Sequence, residues 1–270
     1  MKFTLSHYAP ALLLALLLAG CATNPQPSSA KSAVEPRPLM VFAAASLTDA
    51  FTELGKNFEA ANPGVTVTFN FAGSQALRTQ IEEGASVDVF ASANAQEMNA
   101  LVTSGLIAET APKIFLTNQL VVILPADNPA NLHSLKDLAN AGVKIIFAAP
   151  EVPVGNYSRQ SLARMAAAFG AEFSNQVLAN VVSNEDNVRQ VVAKIQLGEA
   201  DAGMVYASDA IAAPEIQTIK IPSEFNVVAA YPLAPLADAP HADLAQTFIA
   251  YVLSADGQAV LQKWGFAPAP

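Results

Sequence analysis

From residue 39 onward, short apolar runs alternate with stretches in which apolar residues recur at helical spacing. "PLMVFAAA", "VTVTFNFA" and "VDVFASA" predict the first three strands. Between them, Leu47, Ala50, Phe51, Leu54 and Phe58 share one helical face that "NPG" at 62–64 stops. A second helix carries Leu77 and Ile81 and ends at Gly84, and a third runs to Gly105. Repeated strand–helix units predict α/β architecture with mostly parallel sheets.

The cycle restarts after "LVVILP" at 120–125, a fully apolar strand, and the break "ADNPANLHS". "VKIIFAAP" predicts a strand and is followed by a helix near 158–169. "VLANVVS" leads into a helix whose Val188, Val191, Val192 and Ile195 form one stripe before Gly198. "ADAGMVY" and "VVAAYPLAPL" read as extended, and two closing helices are marked by Leu244, Phe248, Tyr251 and Val252, then by Val260, Leu261 and Trp264. No strand separates those helices, so they are expected to pack back on the first lobe. The predicted organisation is therefore lobe 1 from 39–119 plus 231–270 and lobe 2 from 120–230, with crossings near 118–122 and 228–233. No internal repeat of fixed period is present.

The front of the chain reads differently. "MKFTLSHYAPALLLALLLAGC" has Lys2, an apolar run from Ala9 to Ala19 and small residues before Cys21, the pattern of an export signal over 1–20. Its run is short for a membrane span. Leu18-Ala19-Gly20-Cys21 resembles the bacterial lipobox, which implies cleavage before Cys21 and acylation of its thiol. Residues 21–38 then form a lipidated cysteine and a Pro- and Ser-rich tether. Nothing later looks transmembrane, so the expectation is a body outside the cytoplasm on a lipid leash, at a periplasmic or other extracytoplasmic membrane face.

Composition narrows the partners. With 52% hydrophobic and 14% charged residues among 270, the chain can bury a sizeable core. A formal charge of -9 and the lack of any Lys/Arg run argue against nucleic acid. Cys21 is the one cysteine, which leaves no disulfide and no thiol site in the mature chain. His and Cys never cluster with metal-ligand spacing, so direct cation ligation is not expected.

Five junctions share one design, an apolar strand ending in a small or backbone-exposing turn that opens a helix. They are Ala45-Ser46, "FAGSQ" with Ser74, "PEVPVGN" with Val154, "SNEDNV" with Val188, and "MVYASDA" with Tyr206. In open α/β sheets ligands bind beyond the carboxyl ends of strands, where helix N-termini present unpaired N–H groups and positive dipole ends. Each junction alone reads as a serine N-cap, a core valine or a buried tyrosine. Converging across a cleft, they build a neutral cage of donors suited to an anion. Arg78, Arg159, Arg164 and Arg189 lie near the junctions and read as solvated or supporting groups, while Glu185 and Asp186 read as first-turn acids of the following helix.

"VFAAASLTDAF", "FAGSQALRTQIEEGASVDVFASA", "APEVPVGNYSRQSL", "EDNVRQVVAKIQLGEADAGMVYASDA", "AYPLAP" and "KWGF" closely resemble, in one order over 39–267, the periplasmic molybdate-binding proteins of bacterial ABC importers. The resemblance implies a type II periplasmic-binding-protein fold with the ligand in the inter-lobe cleft, closing on molybdate or tungstate. Carried over residue by residue, it implies hydroxyl donors at Ser46, Ser74 and Tyr206 and backbone donors at Val154 and Val188. The metal is then held as its oxyanion, with no cofactor, and the partner is an ABC permease served by a monomer. Members of that family often carry alanine where Val154 stands, and Gly155 and Asn156 offer N–H groups in the same turn.

Other readings use the same residues less well. A serine hydrolase needs a base, but the mature chain offers only His133, in a loop, and His241, at a helix start, and no G-x-S-x-G elbow. Ferric-ion binders use adjacent tyrosines, whereas Tyr157, Tyr206, Tyr231 and Tyr251 stand singly. A binding protein for sulfate, phosphate or a small organic anion is the alternative; as the family resemblance implies, size separates molybdate and tungstate from the smaller sulfate, and the hydroxyl of protonated phosphate would face donors. A structural lipoprotein leaves the recurring junctions unexplained.

Overall fold

A computed structural model describes residues 37–270. The signal, Cys21 and nearly all of the tether lie outside the described residues. The first strand, β1 (Arg37–Ala44), begins two residues inside the expected tether, because parallel pairing with β2 (Val65–Ala72) extends back to Arg37 opposite Val65. A single 3-10 turn (Ala45–Leu47) joins β1 to α1 (Thr48–Ala61). After β2 come α2 (Ser74–Glu82), β3 (Val89–Ala91), α3 (Ala95–Thr103) and β4 (Lys113–Asn118).

Beyond Gln119 the chain enters a second sheet. It runs through β5 (Leu120–Leu124), β6 (Ile145–Ala148), α4 (Pro153–Phe169), α5 (Phe173–Ala179), β7 (Val181–Glu185), α6 (Val188–Gln196), β8 (Ala202–Tyr206), α7 (Ala207–Ala212) and β9 (Gln217–Lys220). It then returns through β10 (Ala229–Pro235), α8 (Ala242–Leu253), α9 (Ala255–Lys263) and β11 (Ala267–Pro268). The sheet orders are β11-β4-β10-β3-β1-β2 and β7-β6-β8-β5-β9. β10 rejoins the first sheet at Ala229, two residues ahead of the expected boundary.

The sheets are mixed rather than mostly parallel. Pairings among β1, β2 and β3 and among β6, β7 and β8 are parallel, but every pairing of β5, β10 and β11 is antiparallel. The strands that carry the chain between sheets run against the βα units they join. That reversal gives each sheet a block of parallel strands whose carboxyl ends share an edge.

Alternation along β1 explains the layering. Leu39, Val41 and Ala43 face a core shared with α1, α8 and α9, while Phe42 points to a second cluster with Leu77, Ile81, Phe90 and Met98. The closing helices do pack back on α1: Phe51 meets Phe69, Phe115 and Phe248 edge-on at 5.9–6.2 Å, and Phe58 meets Phe248 at 5.2 Å. Phe51, Phe58, Phe115 and Phe248 are fully buried, and each contributes roughly 1.5–3 kcal/mol.

The two crossings are tied together. Buried Asn226 accepts the Leu120 N–H and donates to the Leu120 carbonyl, both at 2.9 Å, and buried Asn118 donates to Ser208 Oγ at 2.8 Å. Side-chain amides thus satisfy backbone groups that leave one ladder before joining the next. No helix among the described residues is long and apolar enough to cross a membrane.

Candidate functional site: a neutral cage at the strand ends

Three loops leave the parallel edge of each sheet. Ser46 follows β1, Ser74 follows β2 and Ala93 follows β3; Val154 follows β6, Val188 follows β7, and Tyr206 ends β8. All six line one small cavity, together with glycine, alanine, Val152, Pro153 and Asn187. All five residues singled out in the sequence are therefore brought together, from segments up to 160 positions apart. Among the described residues, none that lines this cavity carries a formal charge.

Neither serine is spent as a helix cap. Ser46 sits inside the 3-10 turn, α1 begins behind Leu47 without a side-chain cap, and Gly73 holds the N-cap position of α2. Instead, Ser74 Oγ accepts the Ala93 N–H at 3.0 Å. Its own proton remains available to the cavity. Ser46 Oγ lies 2.9 Å from the Tyr231 hydroxyl.

α4 starts at Pro153, five residues before the predicted 158, with proline at a first-turn position that requires no N–H donor. Val154 is thereby a first-turn residue, and its N–H has no intrahelical acceptor. The Asn156 N–H already donates to Val152 O at 2.9 Å, and Gly155 does not line the cavity. The first turn is pressed against the end of β6: a Cβ on Gly155 would stand 2.0 Å from Ala149 O and 2.4 Å from Ala148 O. Glycine is what lets Val154 reach the cavity. Val188 is the first residue of α6, whose N-cap Asn187 accepts the Gln190 N–H at 3.2 Å and leaves the Val188 N–H unclaimed within the helix.

Tyr206 is 1% exposed, and its hydroxyl has no hydrogen-bond partner among the described residues. Burial holds its pKa well above the ordinary phenol value, so the group is a neutral donor at physiological pH. A buried hydroxyl without a partner costs roughly 1–3 kcal/mol, which a ligand accepting from it would restore.

The arginines stand behind the cage. Arg78 pairs with Glu97 at 2.6 Å, Arg159 donates to Ala148 O and Gly155 O at 3.0 and 2.8 Å, and Arg164 donates to Asn226 O. Arg189 reaches Asp49 and the Ala45 carbonyl. The acids of "SNEDN" differ from expectation: no acid lies in the first turn of α6, because β7 continues alongside β6 through Glu185. Glu185 is buried and takes Lys194 Nζ at 2.8 Å.

Two residues escaped the sequence reading. Tyr231 belongs to the apolar run "AYPLAP", and its lone hydroxyl, which a buried tyrosine must satisfy, was the available signal. Asp209, one turn into α7, is fully buried, accepts the Tyr206 N–H at 3.2 Å, and has its carboxyl pushed up to about 6 by desolvation. His133 bonds Asn131 in an exposed loop and His241 bonds Asp88 at the start of α8, so neither is placed to serve a serine. Among the described residues, no group of three His, Cys, Asp or Glu is placed to hold a metal ion.

Residues 39–267 match the family model described as bacterial extracellular solute-binding protein. The molybdate-binding protein ModA of Mycobacterium tuberculosis is 39% identical over 258 residues, 95% of each chain. Among solved structures, the Azotobacter vinelandii periplasmic molybdate-binding protein superposes with a TM-score of 0.75 at 21% identity, covering 86% of this chain and 100% of that one. The sulfate-binding protein SubI of M. tuberculosis gives 0.78 at 19%, covering 86% and 87%. At those identities the superpositions establish the fold, a two-sheet α/β periplasmic-binding-protein architecture. The chain belongs to the bacterial extracellular solute-binding protein family and is a binding protein rather than an enzyme.

Proposed function

We propose that this protein captures molybdate, and tungstate as its near-isostere, and delivers it to the permease of an ABC importer. The observation that carries the reading is the buried, unpartnered Tyr206 hydroxyl, set in one uncharged cavity with Ser46, Ser74 and the first turns at Val154 and Val188. Three hydroxyls and two helix N-termini are donors without a competing acceptor charge. A dianion gains charge-assisted hydrogen bonds from them. The 39% identity to ModA over nearly the whole chain supports molybdate as the anion.

Binding closes the cleft. Ser46 and Ser74 belong with the first sheet, and Val154, Val188 and Tyr206 with the second. An anion held by both sides favours the state in which they meet, which is the differential affinity that a population shift requires. Lipidation at Cys21 and display outside the cytoplasmic membrane complete the proposal, on the strength of the Leu18–Cys21 motif and the tether composition. Mass spectrometry of the mature N-terminus tests the anchor: an unmodified Cys21 would end that part of it.

Calorimetric titration with molybdate, tungstate, sulfate and phosphate in one buffer tests the ligand. The expected outcome is tight binding of the first two and little heat from the others. Equal response to sulfate would overturn the selectivity, and silence from all four with folded protein would overturn the anion site.

A further inference from the structure

We infer that Tyr231 is a positioning residue for the anion: its hydroxyl donates to Ser46 Oγ and so reserves the Ser46 proton for the ligand. The inference rests on the proposed anion site and assigns a role to a residue outside the set of direct donors.

The geometry leaves two possible directions for one bond. Ser46 Oγ and the Tyr231 hydroxyl are 2.9 Å apart, both residues are buried, and each hydroxyl has a single proton to give. If Ser46 donates to Tyr231, the serine turns lone pairs toward the cavity and repels an anion. If Tyr231 donates, the serine is free to donate inward. The surroundings favour the second direction. The Asn118 side chain and the Tyr206 hydroxyl also face the Tyr231 hydroxyl. The Asn118 amide oxygen already accepts the Gln119 N–H at 2.9 Å, and the Tyr206 hydroxyl makes no hydrogen bond among the described residues, whereas Ser46 Oγ stands at 2.9 Å. Ser46 is thus the acceptor left for the tyrosine proton.

Ser74 shows the same arrangement with its direction fixed. Its oxygen accepts from the Ala93 backbone N–H, a group that can only donate, so its proton must point elsewhere. Each serine is supplied with a donor from behind. For Ser74 that donor is main chain; for Ser46 it is a side chain 185 positions away.

Tyr231 is held for this task. The pairing of β10 with β4 shifts register between Tyr231 and Pro232, an irregularity of the kind that re-aims a side chain beside a functional site. Its ring packs edge-on against Tyr206 at 5.8 Å and against Phe266 at 6.0 Å. Phenylalanine at 231 keeps those ring contacts and removes only the hydroxyl.

The test is a double-mutant cycle on the purified full chain, with molybdate affinity by calorimetry and thermal unfolding as the folding check. Tyr231→Phe is expected to weaken binding about tenfold, and Ser46→Ala by about tenfold to a hundredfold, the range for a hydrogen bond to a charged group. The double variant is expected to bind no more weakly than Ser46→Ala alone, since Tyr231 acts through that serine. Wild-type affinity in Tyr231→Phe overturns the inference, as do losses that multiply in the double variant. Failure of the wild type to bind molybdate overturns the anion site itself, a distinguishable result. Should Tyr231→Phe fold poorly, proton resonances of the wild-type complex decide: a slowly exchanging Tyr231 hydroxyl proton with a cross-peak to the Ser46 β-protons supports it, and a Ser46 hydroxyl proton directed at the tyrosine overturns it.

Discussion

Arg189 on α6 donates through Nη2 to Asp49 on α1, an ion pair that joins the second sheet's helices to the first's. Its Nε also donates to the Ala45 carbonyl at 3.3 Å, one residue before Ser46. On its own side it stands 3.3 Å from Asp209 Oδ1. Separation of the two halves leaves the Asp209 interaction and breaks the other two.

Asp49→Asn is therefore expected to weaken molybdate binding while leaving the unliganded fold unchanged. The side chains are 28% and 35% exposed, so the pair contributes only about 0–1 kcal/mol, which limits the loss to roughly fivefold. Screening makes the effect shrink with added salt. Titrations of both proteins at low and high salt check this; a loss that persists undiminished at high salt would mean that Asp49 acts by some route other than charge.

Ser74→Ala removes an anion donor and strips the buried Ala93 N–H of its acceptor. Affinity is expected to fall by about tenfold to a hundredfold, with a stability cost of about 1 kcal/mol from the orphaned amide. Paired calorimetry and urea unfolding separate the two. A variant that loses stability but keeps its affinity would identify Ser74 as a structural serine.

Gly73→Ala tests closure rather than direct ligation. Gly73 has an ordinary extended backbone with φ -60°, so the fold accepts alanine there. Across the cleft, however, the added Cβ would stand 2.5 Å from Asp186 O; on its own side it would meet only the end of the flexible Gln75 side chain, whose amide bonds Asp186 O at 3.0 Å. The closed state is expected to suffer and the open one not. A tenfold smaller closed population weakens apparent affinity about tenfold. Small-angle scattering is the direct check: compaction of this variant by molybdate equal to that of the wild type would show that the approach at Gly73 does not govern closure.

What was legible in the sequence was whatever local pattern dictates. Leu47, Ala50, Phe51, Leu54 and Phe58 announce α1, and the stripe Val188, Val191, Val192, Ile195 announces α6; all nine are buried. The short elements β4, β9 and α5 went unseen, because four to seven residues carry too little periodicity to stand out. The antiparallel course of β5 and β10 was hidden as well, since an apolar run does not encode its direction. At the site, strand ends pointed to Ser46, Ser74, Val154, Val188 and Tyr206, which line one cavity. Tyr231 and Asp209 were missed for the opposite reason: their partners, Ser46 and Arg189, are distant in sequence, and no spacing rule links them.

Asp209 gives the protein a pH signature with a definite sign. Burial raises its carboxyl from 3.8 to about 6, against the pull of Arg189 and the Tyr206 N–H, with Asp49 adding a smaller upward push. Between those values the folded state holds a proton that the unfolded state has released. Stability from this group is fully present below about 4 and is lost as pH rises toward 6 and beyond, the reverse of a salt-bridged carboxylate. Asparagine mimics the protonated acid at every pH. Asp209→Asn is therefore expected to match the wild type near pH 4 and to gain on it as pH rises to 7, by up to about 3 kcal/mol. The attraction of Arg189 for the ionised carboxylate is already part of that balance, because it acts on the same group and lowers the same pKa. Urea unfolding of both proteins across this range measures the difference directly, and common groups cancel in the comparison. A difference that stays flat from pH 4 to 7 would show that Asp209 ionises like an ordinary carboxyl despite its burial.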